Sequence, residues 1–175
     1  DASDFTFIFV GNVDVEKMKP VIAEYLGALP AVNRKETFKD NKIEMRQGIY
    51  KNEFTKQQET PKASVFAFYN GDCKYDLRNN LLLSMTSQIL DLVYTEKVRE
   101  DEGGTYGVYV GGTLQKYPKE KAILQIIFDT APEKKEKLMK IIFGEIDNIT
   151  KTGPSEANLN KVKEYMLKKH TEDLK

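Results

Sequence analysis

The sequence predicts an α+β fold, a two-layer sandwich in which a mixed, mostly antiparallel sheet carries its helices on one face. Three observations predict it. Strand-like and helix-like segments follow one another in the order β-α-(β)-β-α-β-β-α-α, which suits helices stacked on a sheet. Two late strand segments, 106–114 and 122–128, are joined by the polar stretch QKYPKE and fit an antiparallel hairpin. With 175 residues and 40% hydrophobic content the chain can bury one substantial core, so residues 1–175 are expected to form a single domain.

Taken in order, residues 5–10 are a continuous apolar run of strand length, followed by Gly11-Asn12 as a turn and Asp14 as a helix N-cap. Val15, Met18, Ile22, Tyr25 and Leu26 then recur at helical spacing, and Gly27 supplies the stop. Pro20 forfeits a backbone bond inside that helix, so an irregular first turn is expected. Residues 31–43 are polar and read as a loop, and a further strand is expected at about 48–54. Residues 63–69 form an aromatic-rich strand ended by Asn70-Gly71-Asp72. The longest helix spans about 76–99, with Leu82, Met85, Ile89, Leu92, Val93 and Glu96 recurring at helical intervals. After the hairpin, Thr130 and Glu133 form a T-x-x-E capping box opening a helix with Leu138, Ile141, Ile142, Ile146 and Ile149 on one face. Gly153-Pro154 ends it, and Ser155 starts a last helix carrying Tyr165 and Met166.

Composition narrows the function classes. Lys+Arg 27 balance Asp+Glu 27, which argues against nucleic acid as the main partner, because phosphate binding needs a basic excess or stripe. No run is long and apolar enough to cross a membrane. The single cysteine, Cys73, rules out an internal disulfide framework and reads as a small residue at a strand end. The sequence opens on Asp1 with no signal pattern, and its last helix has no stop signal, so an excised piece of a larger protein is expected.

Most candidate chemistry dissolves on inspection. Glu96, Glu100, Asp101 and Glu102 are dense, but a charged helix end is a better account than a cation site, since hard cations need oxygens converging on a defined turn. Gly103-Gly104 follow a helix and Gly111-Gly112 lie within a strand, whereas a phosphate cradle follows a strand and opens a helix. Ser84, Thr86 and Ser87 have no nearby His to activate them. What remains is VREDEGGTYGVYVGG, residues 98–112, where a helix closes at Arg99, two glycines break it and Tyr106, Val108 and Val110 alternate along a strand. Arg99 and Tyr106 can converge there. Two accounts stay open: Arg99 offsets the negative helix end and Tyr106 is packing, or the pair forms a site.

The Arg-x6-Tyr in this V-R-E-x-x-G-G-T-Y setting resembles the substrate-binding element in the C-terminal half of pitrilysin-like (insulinase-family) zinc peptidases. The block FTFIFVGNVDVEKMKPVIAEYLGALP, residues 5–30, is similar to a strand, turn, helix and Leu-Pro exit from the same family, and the likeness extends to about His170. The resemblance implies a non-catalytic domain of a peptide hydrolase with a processing-peptidase-like fold. It implies that Tyr106 hydrogen-bonds the substrate carbonyl and stabilises the forming oxyanion, and that Arg99 binds substrate backbone and fixes the tyrosine. Gly104, Thr105 and Gly107 would shape an edge where an extended peptide adds as a strand. Such peptidases take zinc from H-x-x-E-H plus a later Glu. This chain has one His, His170, so zinc is expected in the parent protein and no metal ligand here. Expected partners are a peptide substrate and the parent's other domains. The residues fix no compartment; the bacterial periplasm is the expectation. A rival reading within the family is a peptide-binding or scaffolding subunit that keeps the fold without the chemistry.

Overall fold

The computed structural model describes residues 1–102 and 107–174, with the backbone alone for 99–102. The chain divides into two compact units, Asp1–Ile43 and Glu44–Lys175.

The first unit holds one helix, α1 (Val15–Tyr25). Asp14 caps it by accepting from the Lys17 backbone N–H at 3.2 Å, and the Met18 N–H donates to the Asp14 carbonyl at 3.0 Å. The first turn is therefore regular, contrary to the expectation drawn from Pro20, which lies a turn further on where one missing donor is tolerated. Gly27 closes the helix by donating to the Ile22 carbonyl. Residues 5–10 form no strand, again contrary to expectation. A strand exists only when a neighbour completes its ladder, and among the described residues this run has none. The loop at 31–43 is irregular as expected.

The second unit contains β1 (Ala63–Asp72), α2 (Leu77–Glu102), β2 (Val108–Gln115), β3 (Lys121–Thr130), α3 (Lys135–Thr152) and α4 (Glu156–Asp173). The sheet has the order β1-β3-β2 with both pairings antiparallel, and the expected hairpin is the β2–β3 pair. Antiparallel register assigns side chains to faces. Val65 and Ala67 on β1, Val108 and Val110 on β2, and Leu124, Ile126 and Phe128 on β3 share the inner face. Phe66, Phe68 and Tyr109 lie on the other face and are exposed, so the helices pack on one side only. This is the α+β arrangement the sequence suggests.

The core joins Ile126 and Phe128 to Leu90, Tyr94 and Val98 of α2 and to Leu138 and Ile142 of α3. The inner stripe of α2 is thus Ser87, Leu90, Tyr94 and Val98 together with Ile89; Leu82 is exposed, and Leu92, Val93, Met85 and Glu96 are not buried. The stripe includes a tyrosine because its hydroxyl has a partner, the Ile142 carbonyl at 2.9 Å. Burial pushes the Tyr94 phenol well above its ordinary range, so it stays protonated and able to donate. Lys97 of α2 also pairs with Glu145 of α3. On α3 the expected apolar face holds, with Leu138 and Ile142 buried.

Several boundaries differ from expectation. β1 continues through Asn70-Gly71-Asp72, because those residues pair with Ile123, Ala122 and Lys121. No strand forms at 48–54, where Ile49, Tyr50 and Phe54 are exposed. The capping box is absent. Thr130 is the last residue of β3, paired with Ala63 and facing inward, while Ala131 is held extended before Pro132 and a short 3-10 turn, Pro132–Lys134, precedes α3. At the other end Gly153, with φ 74°, closes α3, and Ser155 caps α4 by accepting from the Asn158 N–H at 3.2 Å.

Gly112 sits where α2 crosses β2. A Cβ there would lie 2.6 Å from the Ser87 Oγ and 2.7 Å from the Leu83 Cγ, whereas a Cβ at Gly111 would meet the mobile end of Tyr109 on the open face. Gly112→Ala should therefore destabilise the unit by roughly 1–3 kcal/mol through overpacking. Gly111→Ala should cost distinctly less, and chemical denaturation of both variants would show the order. Tyr94→Phe should cost about 1 kcal/mol with the fold retained, as expected for one neutral hydrogen bond.

Candidate active-site edge

The candidate site is the junction between α2 and β2. Val98 is buried in the core, which fixes the helix backbone one residue before Arg99. The helix continues to Glu102. The side chain of Arg99 and the whole of Gly103, Gly104, Thr105 and Tyr106 lie outside the described residues, and with them the expected turn at Gly103-Gly104 and the convergence of Arg99 with Tyr106. The backbone resumes at Gly107 with φ 137°, a conformation that L side chains rarely adopt. Val108 then enters the ladder opposite Phe128, so the chain is fixed on both sides of the junction.

β2 is an edge strand of the described sheet, and its eight residues, VYVGGTLQ, carry no charge and no proline. An edge without those guards is open to pairing with another extended chain. Beside Gly107 an open depression of about 390 Å³ is lined by Asp91, Val108, Tyr109, Ile127, Phe128 and Asp129. Asp129 accepts from the Ser64 hydroxyl at 2.6 Å and from the Lys62 ammonium at 2.9 Å. The Ser64 bond first and Lys62 second hold its carboxyl below the usual range. Sequence reading missed this group: strand alternation puts Ser64 and Asp129 on the outer face, but only the β1–β3 register sets them opposite each other.

The side chains of Glu100, Asp101 and Glu102 also lie outside the described residues; the other candidates make ordinary structural contacts. Thr86 and Ser87 donate to the Leu82 and Leu83 carbonyls of their own helix at 2.8 and 2.9 Å, and Ser84 accepts from Gln88. Glu96 pairs with Lys161 of α4 at 3.8 Å. Cys73 follows the end of β1 and donates its backbone N–H to the Glu120 carbonyl. His170 is exposed on α4, and among the described residues no three His, Cys, Asp or Glu side chains converge. This donor set does not fit zinc. Among the described residues no helix is long and apolar enough to cross a membrane.

Residues 1–166 match the family described as Peptidase M16 inactive domain. Among solved structures, the periplasmic protease PqqL from Escherichia coli aligns with a TM-score of 0.71 at 20% identity, covering 91% of this chain and 18% of that one. The peptidase M16 inactive domain from Pseudomonas fluorescens aligns with a TM-score of 0.53 at 25% identity, covering 62% of this chain and 26% of that one. No curated protein matches the sequence.

Two substitutions test the geometry around the junction. Gly107→Ala should cost about 1–3 kcal/mol, because the backbone there is closed to an L side chain. Ser64→Ala should raise the Asp129 pKa toward its ordinary value, read by NMR titration of the carboxyl. Since the folded pKa is lowered, the contribution of Asp129 to stability is complete above the unfolded carboxylate range and lost as pH falls through the folded value. The variant should lose less stability over that acid window than the parent sequence.

Proposed function

Because the chain belongs to the Peptidase M16 inactive domain family, we propose that it is a non-catalytic C-terminal-half domain of a pitrilysin-like zinc metalloendopeptidase. It would lend Arg99 and Tyr106 to an active site completed by another domain. The observation that carries this is the family match across residues 1–166, which includes the Arg-x6-Tyr block at the α2–β2 junction. The lengths of the two similar structures, of which the chain covers 18% and 26%, support a larger multidomain parent. Zinc would be held elsewhere in that parent, and no residue of this chain is assigned to it. The periplasmic setting named for PqqL supports the bacterial periplasm as the compartment.

In this reading Tyr106 donates its phenolic hydrogen to the substrate carbonyl oxygen, and the bond strengthens as that oxygen gains negative charge. A donor aimed at developing charge in an enclosed site acts mainly on the transition state. Arg99 binds substrate backbone and holds the phenol in place. Gly104, Thr105 and Gly107 shape the start of β2, whose uncharged edge suits an extended peptide added as a strand. A peptide substrate and the parent's other domains are the partners.

The second reading, a peptide-binding or scaffolding subunit without activity, is favoured by the family's own description as an inactive domain. Translating the gene upstream of Asp1 separates the two: H-x-x-E-H with a later Glu supports the peptidase, and its absence from the whole parent supports the subunit. In the intact parent, Tyr106→Phe should lower kcat by about 10²–10³, the usual loss for one oxyanion donor, with a smaller change in KM. The melting temperature should hardly move. A lowered melting temperature with unchanged kcat would mean that the residue is packing.

A further inference from the structure

The open depression of about 390 Å³ beside Gly107 has two kinds of lining. Val108, Tyr109, Ile127 and Phe128 give it apolar walls, and Asp91 and Asp129 supply carboxylates. The space at Gly107 is clear, since an added Cβ there would meet nothing within 4 Å. Asp91 stands exposed on α2, and among the described residues its carboxylate has no hydrogen-bond or ion-pair partner. Asp129 gives one oxygen to the Ser64 hydroxyl and the other to the Lys62 ammonium. A carboxylate accepts at about four lone-pair positions, so both oxygens keep capacity. Lys62 offsets one of the two negative charges, which leaves one uncompensated at the depression.

We propose that this depression is a subsite for a basic side chain of the bound peptide, lysine or arginine. The inference rests on the reading of β2 as the edge that takes an extended peptide. A strand added there sends alternate side chains to opposite faces, and Gly107 and Val108, at the start of that edge, also line the depression. Lysine and arginine lay their aliphatic stems on apolar surface and keep the charged head among polar groups. Val108 and Ile127 suit the stem, the Tyr109 ring, 56% exposed, offers its face, and the two carboxylates receive the head. Two carboxylates supply too few oxygens for a hard cation, and apolar walls add none. An acidic side chain would be repelled, and a neutral one would leave Asp91 unanswered.

Calorimetric titration of the intact parent tests it, with chelator present so that no peptide is cleaved. The probes are short blocked alanine peptides that differ only at one central residue, lysine or norleucine, whose side chain keeps the stem and lacks the ammonium. The lysine peptide should bind about 5-fold more tightly at low salt, near the upper worth of an exposed ion pair, and the margin should shrink as salt rises. Asp91→Asn and Asp129→Asn should each narrow it to about 2-fold, with norleucine affinity unchanged. Equal affinity of the two peptides for the parent overturns the proposal. So does a lysine margin that survives when both aspartates are replaced by asparagine, or failure of both peptides to bind. Because nothing turns over, the result is separate from the Tyr106→Phe test: a missing lysine margin leaves the kcat prediction standing, and an unchanged kcat in that variant leaves the margin to be read.

Discussion

The close approach of α2 to the sheet sets the rest of the second unit. At Gly112 the absent side chain lets Ser87 and Leu83 of the helix press onto β2. Further along the same helix, Leu90, Tyr94 and Val98 fill the space over Ile126 and Phe128. Tyr94 serves both layers, since its ring packs in the core and its hydroxyl reaches the Ile142 carbonyl of α3. Helix, sheet and α3 are thereby tied at one level. Close-packed interiors transmit small shifts, so the direction in which α2 leaves the core after Val98 is set by these contacts. The junction that carries Arg99 follows directly from that exit.

The proposed substrate contacts lie at a helix–strand junction whose described flanks are both held. Residues before Arg99 are held by the core, and residues after Gly107 are held by ladder pairing with β3. The family match covers residues 1–166, and this edge and junction lie within it.

Much of this was legible in sequence because local signals and tertiary context agree. Asp14, Ser155 and Gly153 act at the helix ends their chemistry suggests, and the apolar face of α3 follows its periodicity. Other signals were overridden. Thr130 has the makings of a cap, yet its backbone is taken by pairing with Ala63 and Pro132 delays the helix. On α2 almost every turn carries apolar residues, so periodicity alone does not single out one face; the burial of Tyr94 depends on a carbonyl 48 residues away. The run at 5–10 reads as a strand, but a strand needs a neighbour, and among the described residues it has none. The Asp129 cluster was missed because its meaning depends on the β1–β3 register, which sequence spacing does not encode.

The central claim is that Tyr106 addresses the substrate carbonyl in the intact parent. A crystal structure of the parent bound to a peptide analogue that mimics the tetrahedral intermediate tests it most directly. The account predicts the Tyr106 phenol oxygen at about 2.7–3.1 Å from the oxyanion mimic, the distance an oxyanion donor requires, with the Arg99 guanidinium on the analogue's backbone. A phenol oxygen turned into the domain, with the mimic's oxygen held by other donors, would contradict it.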